Sequence, residues 1–249
     1  MSSSNSAFTF TSHPFVASTA QDSRAPCPAL NSLANHGYIH HNGCEISFFS
    51  LLFAIHHIYN LSIPLSFLLT FVGFLSVGHI TWVSSSSHWI PLALPSWRIN
   101  LSNLSQRGPH CITHDASLVH VNVYPSTTPD QSLVKHMLNF ASHTGRDGLS
   151  LPELASLHSM QCKAIHTRLD NLHEQIALGE CGLAWAVMRS RTTSSEDDVI
   201  PYSRLATWFG KEELPEDWWD VGGSRPKESI GLFEARERAE DVSRYTHAM

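Results

Sequence analysis

Charge is scarce in this sequence. Asp, Glu, Lys and Arg make up 15% of its 249 residues, against about 25% in an ordinary soluble domain. The formal net charge is −6 and the basic residues form no stripe, which excludes the electrostatic footprint of a nucleic-acid binder. There is no CxxC pair. The five cysteines, Cys27, Cys44, Cys111, Cys162 and Cys181, are odd in number and far apart, which excludes a zinc ribbon or a disulfide framework and leaves room for one cysteine set apart for chemistry. The Ser-rich amino terminus lacks the basic and apolar regions of a secretory signal. An intracellular protein is therefore expected, with a processed, secreted one as the alternative. The Asn-x-Ser triplets at Asn60, Asn100 and Asn103 favour the second. Internal repeats are absent and convincing strands are few.

Apolar residues, by contrast, reach 42% and histidines number 17. The first figure supplies a substantial core; the second raises the expectation of metal or heme chemistry. The longest apolar run, Leu61 to Gly78, is just long enough to span a bilayer but carries Pro64, Gly73 and several hydroxyl residues. We expect a buried helix there, with a membrane-associated face as the alternative.

Helical spacing dominates the rest. Pro28 opens a short helix that Gly37 ends. Phe48, Leu51, Leu52, Ile55 and Ile58 share the spacing of a second, and a third begins near Pro64. Residues 81–97, with four consecutive serines, three tryptophans and two prolines, break the pattern and read as a loop or insertion. Leu118 to Tyr124 reads as extended, and Thr128-Pro129-Asp130 opens another helix. Asp147-Gly148 is a turn. Pro152 starts a long helix through Leu154, Leu157, Ile165, Leu169, Leu172 and Ile176, and a further helix covers 176–189. Thr192 to Asp198 is a polar loop, and Tyr202 to Phe209 a short helix. The expected class is mainly α, a single-domain helical fold. Residues 1–11 form a flexible arm, 12–226 the domain with an insertion at 80–108, and 227–249 a charged, peripheral tail.

Cys27 lies just before a predicted helix, between Pro26 and Pro28. Unpaired amides and the helix dipole at such a position favour a thiolate, and cysteines there have depressed pKa values. A thiolate so held is a good axial ligand for heme iron. Taken alone, Cys27 reads better as a buried structural cysteine before a helix. Likewise Glu180 alone is one solvated glutamate on a helix, and His114-Asp115 a capping pair. Phe48, Phe49, Phe53, Phe67, Phe71 and Phe74 are candidates for a substrate channel, although aromatics at helical spacing more often form core.

The run from Pro26 to Tyr38, PCPALNSLANHGY, closely resembles the signature of the heme-thiolate peroxidases, the family of fungal chloroperoxidase and the unspecific peroxygenases. His114-Asp115-Ala116-Ser117-Leu118 resembles that family's Glu-His-Asp-x-Ser segment. Gly179-Glu180 resembles the segment with its catalytic glutamate, and Pro201 to Trp218 its C-terminal region. The resemblance spans roughly 12–226, with a gap over 80–108. It implies a mainly α fold enclosing heme b, with Cys27 as the iron's axial ligand. Glu180 is then the acid–base for hydrogen peroxide, and His114, backed by Asp115, its polar partner. The implied reaction is peroxide-dependent oxidation, oxygenation or halogenation of small hydrophobic or aromatic molecules, in fungal secondary metabolism. Ile176, Leu178, Leu183 and Trp185 would give Glu180 an apolar pocket of the kind that raises a carboxyl pKa.

One departure concerns magnesium. The family carries a glutamate before the His-Asp pair, which binds magnesium together with the serine. Here that position is Thr113, and a neutral hydroxyl is a much poorer magnesium ligand than a carboxylate. Ser117 remains from the set, so magnesium is expected to be absent or weakly held. Two alternatives stay open: a heme-binding protein of weak activity without the magnesium site, and a helical, membrane-associated protein without heme. The sequence does not specify an oligomeric state.

Overall fold

The computed structural model describes residues 13–84, 93–108, 111–165, 169–191 and 198–248. The expected arm at 1–11 and most of the expected polar loop at 192–198 lie outside them. Helices dominate, as the spacing predicts. The element order is α1 (Pro28–Asn35), β1 (Ile46–Ser47), α2 (Phe48–Tyr59), α3 (Ile63–Val77), β2 (His79–Ser84) and β3 (Ala93–Ile99), then a 3-10 turn (Leu101–Ser105) and α4 (Gln131–Ser142). There follow β4 (Gly148–Leu149), α5 (Leu151–Ala164), α6 (Asn171–Met188), β5 (Ile200–Pro201), α7 (Tyr202–Arg204), a π turn (Leu205–Phe209) and α8 (Leu232–His247).

Local chemistry sets the boundaries. Ser47, Ser62, Asp130 and Asp170 each accept a hydrogen bond from a first-turn amide of the helix they precede, satisfying donors that the helix itself leaves orphaned. Ser150 and Glu153 form a capping box at α5. The single long helix expected from Pro152 is in fact two. Ile165 turns extended after α5, and Asp170 caps a new start at α6. The cap competes locally with continued helix, which apolar spacing alone does not register.

The 81–97 stretch is also corrected in part. His79–Ser84 and Ala93–Ile99 pair antiparallel, with β1 on the far side of β3, giving the order β1-β3-β2; residues 85–92 lie outside the described residues. Leu118–Tyr124 is not a strand. There the backbone is tied by side chains: Asn122 Oδ1 accepts from the Ala116 amide and Ser117 Oγ from the His120 amide.

The charged C-terminal segment is not peripheral. Its helix α8 packs against α5 and α6, burying Val242. At Gly182 of α6 a Cβ would sit 2.8 Å from the backbone of Arg238 and Ala239, so only glycine permits this approach. The guanidinium carbons of Arg189 and Arg238 lie 4.5 and 5.9 Å from the centroid of the Trp185 ring.

Helix α3 departs from the buried helix expected. Leu65, Thr70, Gly73 and Phe74 face inward, whereas Ile63, Phe67, Leu68, Phe71 and Leu75 are exposed. An all-round apolar sequence has no polar stripe to mark its outer side, and α2, β3 and the 3-10 turn cover α3 from within only. No helix among the described residues is long and apolar enough to cross a membrane.

Candidate active site

The loop before α1 is held by the polar residues of the PCPALNSLANHGY run. Asn31 accepts from the Ala25 amide at 2.8 Å and donates to the Ala25 carbonyl at 2.7 Å. This two-way clamp fixes the turn that carries Cys27. Asn31 also donates to Glu212 at 2.6 Å. Asn35 accepts from Arg24 Nε and Nη2 and donates to the Glu212 carbonyl. His36 Nε2 accepts from the Leu214 amide, and Tyr38 from the Trp219 indole. The motif thus ties the cysteine loop to residues 212–219. Gly43, at φ +66°, permits the backbone of Ser23 to approach within a distance no Cβ would allow.

Cys27 is the N-cap of α1, with extended backbone. The expected depression of its pKa is not found. Burial pushes the thiol up to about 12, and the negative charge of Glu180 adds to the rise. The Leu30 and Ala29 amides act in the opposite direction without offsetting it. Pro28, lacking an N–H, removes one of the donors that a helix start usually offers. In this cavity desolvation outweighs the helix terminus, so thiolate character would depend on a bound cation.

Cys27 opens onto an apolar cavity of about 270 Å³. Its walls include Leu51, Ile55, Leu104, Leu183, Val187 and Phe209, and its polar members include Glu180, His114, His120 and His158. A second, more open groove of about 430 Å³ beside His13 and Trp219 holds none of the predicted site residues. All five cysteines are free. Of them, Cys27 and Cys181 border the cavity.

His114 Nε2 lies 3.2 Å from Glu180 Oε2 and His114 Nδ1 lies 2.6 Å from the Asp115 carbonyl. Burial works against a charged His114. The hydrogen bond and charge of Glu180, with help from Asp115, outweigh it and raise the imidazole pKa. Asp115 backs His114 through its backbone carbonyl, while its carboxylate pairs with Arg107. Glu180 is not enclosed as expected: its side chain is 61% exposed. The nearby walls on α6 are Ala177, Leu183, Ala184 and Val187, whereas Ile176, Leu178 and Trp185 do not line the cavity. None of the six phenylalanines proposed for a channel lines it either. Phe48 and Phe74 pack with Trp97, and Phe49, Phe53, Phe67 and Phe71 are exposed.

Ser117 borders the cavity, and its oxygen accepts from the His120 amide. The Thr113 hydroxyl donates to the Leu104 carbonyl. With Asp115 held by Arg107, this group offers magnesium no free carboxylate, and the residues present do not fit that ion.

Sequence reasoning missed Glu212, His120, His158 and Arg107. Glu212 is 4% exposed and sits at φ +56°. Burial pushes its carboxyl up to about 7, against the opposing Asn31 hydrogen bond and Arg24 charge. A folded-state pKa above the usual 4.5 means the native state holds this proton more tightly. The associated stability is full below pH 4.5 and is lost as pH rises through about 7. Glu212→Gln is therefore expected to gain on the natural protein as pH rises above 4.5, reaching ~3 kcal/mol at pH 8. Denaturant midpoints of both proteins at pH 5 and pH 8 check this; a constant difference would contradict it.

An N-cap cysteine and a glutamate–histidine pair thus border one apolar cavity in a mainly helical protein. Comparison with known proteins gives the family. The chain matches the family described as Peroxidase, family 2, over residues 13–221, and belongs to it. It is similar to the chloroperoxidase of Leptoxyphium fumago, 71% identical over 34 residues, or 14% of this chain and 9% of that protein. The aromatic peroxidase fscJ of Fusarium equiseti is 45% identical over 58 residues, 23% of this chain and 13% of that protein. The dothistromin biosynthesis peroxidase dotB of Dothistroma septosporum is 43% identical over 61 residues, 24% and 14% of the respective chains. The chain thus aligns with between 9% and 14% of the length of these relatives.

Proposed function

We propose that this protein is a hydrogen-peroxide-dependent heme-thiolate oxidoreductase, a peroxidase or peroxygenase, acting on small aromatic molecules. The observation that carries the reading is the shared cavity, with Cys27 and the Glu180–His114 pair on its walls. The donor set fits heme b: a sulfur ligand for iron, and apolar walls for a flat macrocycle. Bound there, heme supplies the redox-active iron that couples peroxide reduction to substrate oxidation.

Cys27 would hold the iron through its sulfur and, as an anion, would donate electron density to it. Glu180 takes a proton from hydrogen peroxide and returns it to the oxygen that leaves as water. His114, held by the Asp115 carbonyl, orients the carboxylate and shares its proton. Its raised pKa suits a charged partner for the Glu180 carboxylate. A place in fungal secondary metabolism is supported by the name of the dothistromin biosynthesis relative.

Expression with added heme tests the reading. The folded protein is expected to show a Soret band and to oxidise a simple phenol only when peroxide is present. Folded protein with no Soret band would overturn it. Magnesium gives a separate expectation. Elemental analysis should find it absent or substoichiometric, and Thr113→Glu should increase it, because the new carboxylate supplies a hard oxygen ligand. Tight stoichiometric magnesium in the natural protein would contradict this.

A further inference from the structure

His120 is 2% exposed, and neither of its ring nitrogens has a hydrogen-bond partner among the described residues. Ser126, six residues on, is also buried, and its hydroxyl is likewise unpartnered. Both side chains border the same cavity as Cys27 and Glu180. Leaving a buried polar group unpaired costs about 1–3 kcal/mol, and two such groups at one apolar cavity are a pattern a ligand would complete.

We propose that His120 and Ser126 form a polar subsite that holds the hydroxyl group of a phenolic substrate against the apolar wall of the cavity. The aromatic part of this assignment rests on the peroxidase reading above; the hydroxyl part rests on the two orphaned side chains. Burial pushes the His120 imidazole down to about 4, despite the opposing charge of Glu180. It is therefore neutral at ordinary pH, with one donor and one acceptor nitrogen. A phenolic O–H donates to the acceptor nitrogen, and the phenolic oxygen accepts from Ser126. A carboxylate ligand would meet a neutral imidazole and the like charge of Glu180, so an uncharged hydroxyl is the better complement. The backbone supports this placement: the Ser117 hydroxyl accepts from the His120 amide and so fixes the turn that presents the ring. The apolar neighbours Leu118, Val119 and Val121 also border the cavity.

The test compares 2-naphthol with naphthalene by calorimetric titration of the heme-loaded, full-length protein. The natural protein is expected to bind 2-naphthol at least ~10-fold more tightly, the value of one satisfied buried hydrogen bond. His120→Leu should abolish that preference, Ser126→Ala should weaken it, and His120→Gln, which keeps a donor and an acceptor, should restore most of it. Without ligand, His120→Leu should melt no lower than the natural protein, since an orphaned polar group has been replaced by an apolar one. Equal binding of the two compounds by the natural protein, or a preference that survives His120→Leu, would overturn the subsite. So would a His120→Leu melting temperature several degrees below the natural value, because His120 would then be a structural partner. The Soret band of the same samples separates the two proposals. Equal binding of the two compounds by the natural protein with the band intact removes the subsite alone, whereas a His120-dependent preference without a band removes the heme reading alone.

Discussion

Glu180→Gln is expected to slow the reaction of the heme-loaded protein with hydrogen peroxide by roughly 10²–10⁴-fold, the usual worth of a placed general acid–base. The substitution keeps the shape of the side chain and removes its capacity to carry a proton. Its effect on the heme spectrum should be small, because Glu180 is not a ligand in this account. His114→Ala should cost less, since the imidazole orients the carboxylate through a 3.2 Å contact. A second readout separates a chemical role from a structural one. Glu180 raises the His114 pKa by hydrogen bond and charge, so in Glu180→Gln the histidine should titrate at lower pH, as ring-proton NMR can measure. Rapid mixing with peroxide gives the rates. A natural rate in Glu180→Gln with an inactive His114→Ala would reverse the two roles.

The Glu180 side chain is 61% exposed. Its position on α6 still brings it beside His114, which comes from a loop 66 residues earlier. The Glu180–His114 contact was legible from sequence only through the resemblance, because no local spacing relates the two residues.

Much of the helical framework was legible because its signals are local. Ser47, Asp130 and Pro28 mark helix starts, and the apolar spacing of α2 selects its buried face. The failures have physical causes. Cap competition at Asp170 divides a continuous apolar pattern into α5 and α6. The hairpin of β2 and β3 depends on pairing across a separated segment, and its serines and prolines read as loop. α3 and its exposed Phe67 and Phe71 show that hydrophobicity without a polar stripe does not specify which side is covered.

The site divides in the same way. Cys27 and its motif stood out because so many consecutive residues agree, and the structure gives Asn31, Asn35, His36 and Tyr38 definite polar partners. Glu212 did not stand out. It pairs with Asn31 across 181 residues, and only the fold buries it. His120 was hidden inside a run read as extended. Its lack of partners among the described residues is a three-dimensional property that no spacing reveals. The expected low pKa of Cys27 failed because helix-terminus arguments consider the local dipole and omit burial, which here is the larger effect.

Cys27→Ala is the second substitution with a large expected effect. The neutral cavity thiol becomes a ligand only by releasing its proton to solvent as a cation binds the sulfur, and none of the other cysteines can replace it in this account. Cys44, Cys111 and Cys162 do not border the cavity. Cys181 does, but it lies on α6 beside Glu180, and burial followed by the Glu180 charge raises its pKa also. Removing Cys27 should therefore eliminate thiolate ligation outright while leaving the fold largely intact, since Asn31 still clamps Ala25. The absorbance spectrum of the reduced, heme-loaded protein under carbon monoxide measures this directly. The account predicts the strongly red-shifted Soret band of a thiolate-ligated heme in the natural protein and its disappearance in Cys27→Ala. A natural protein without that band, or a Cys27→Ala protein that retains it, would contradict the account.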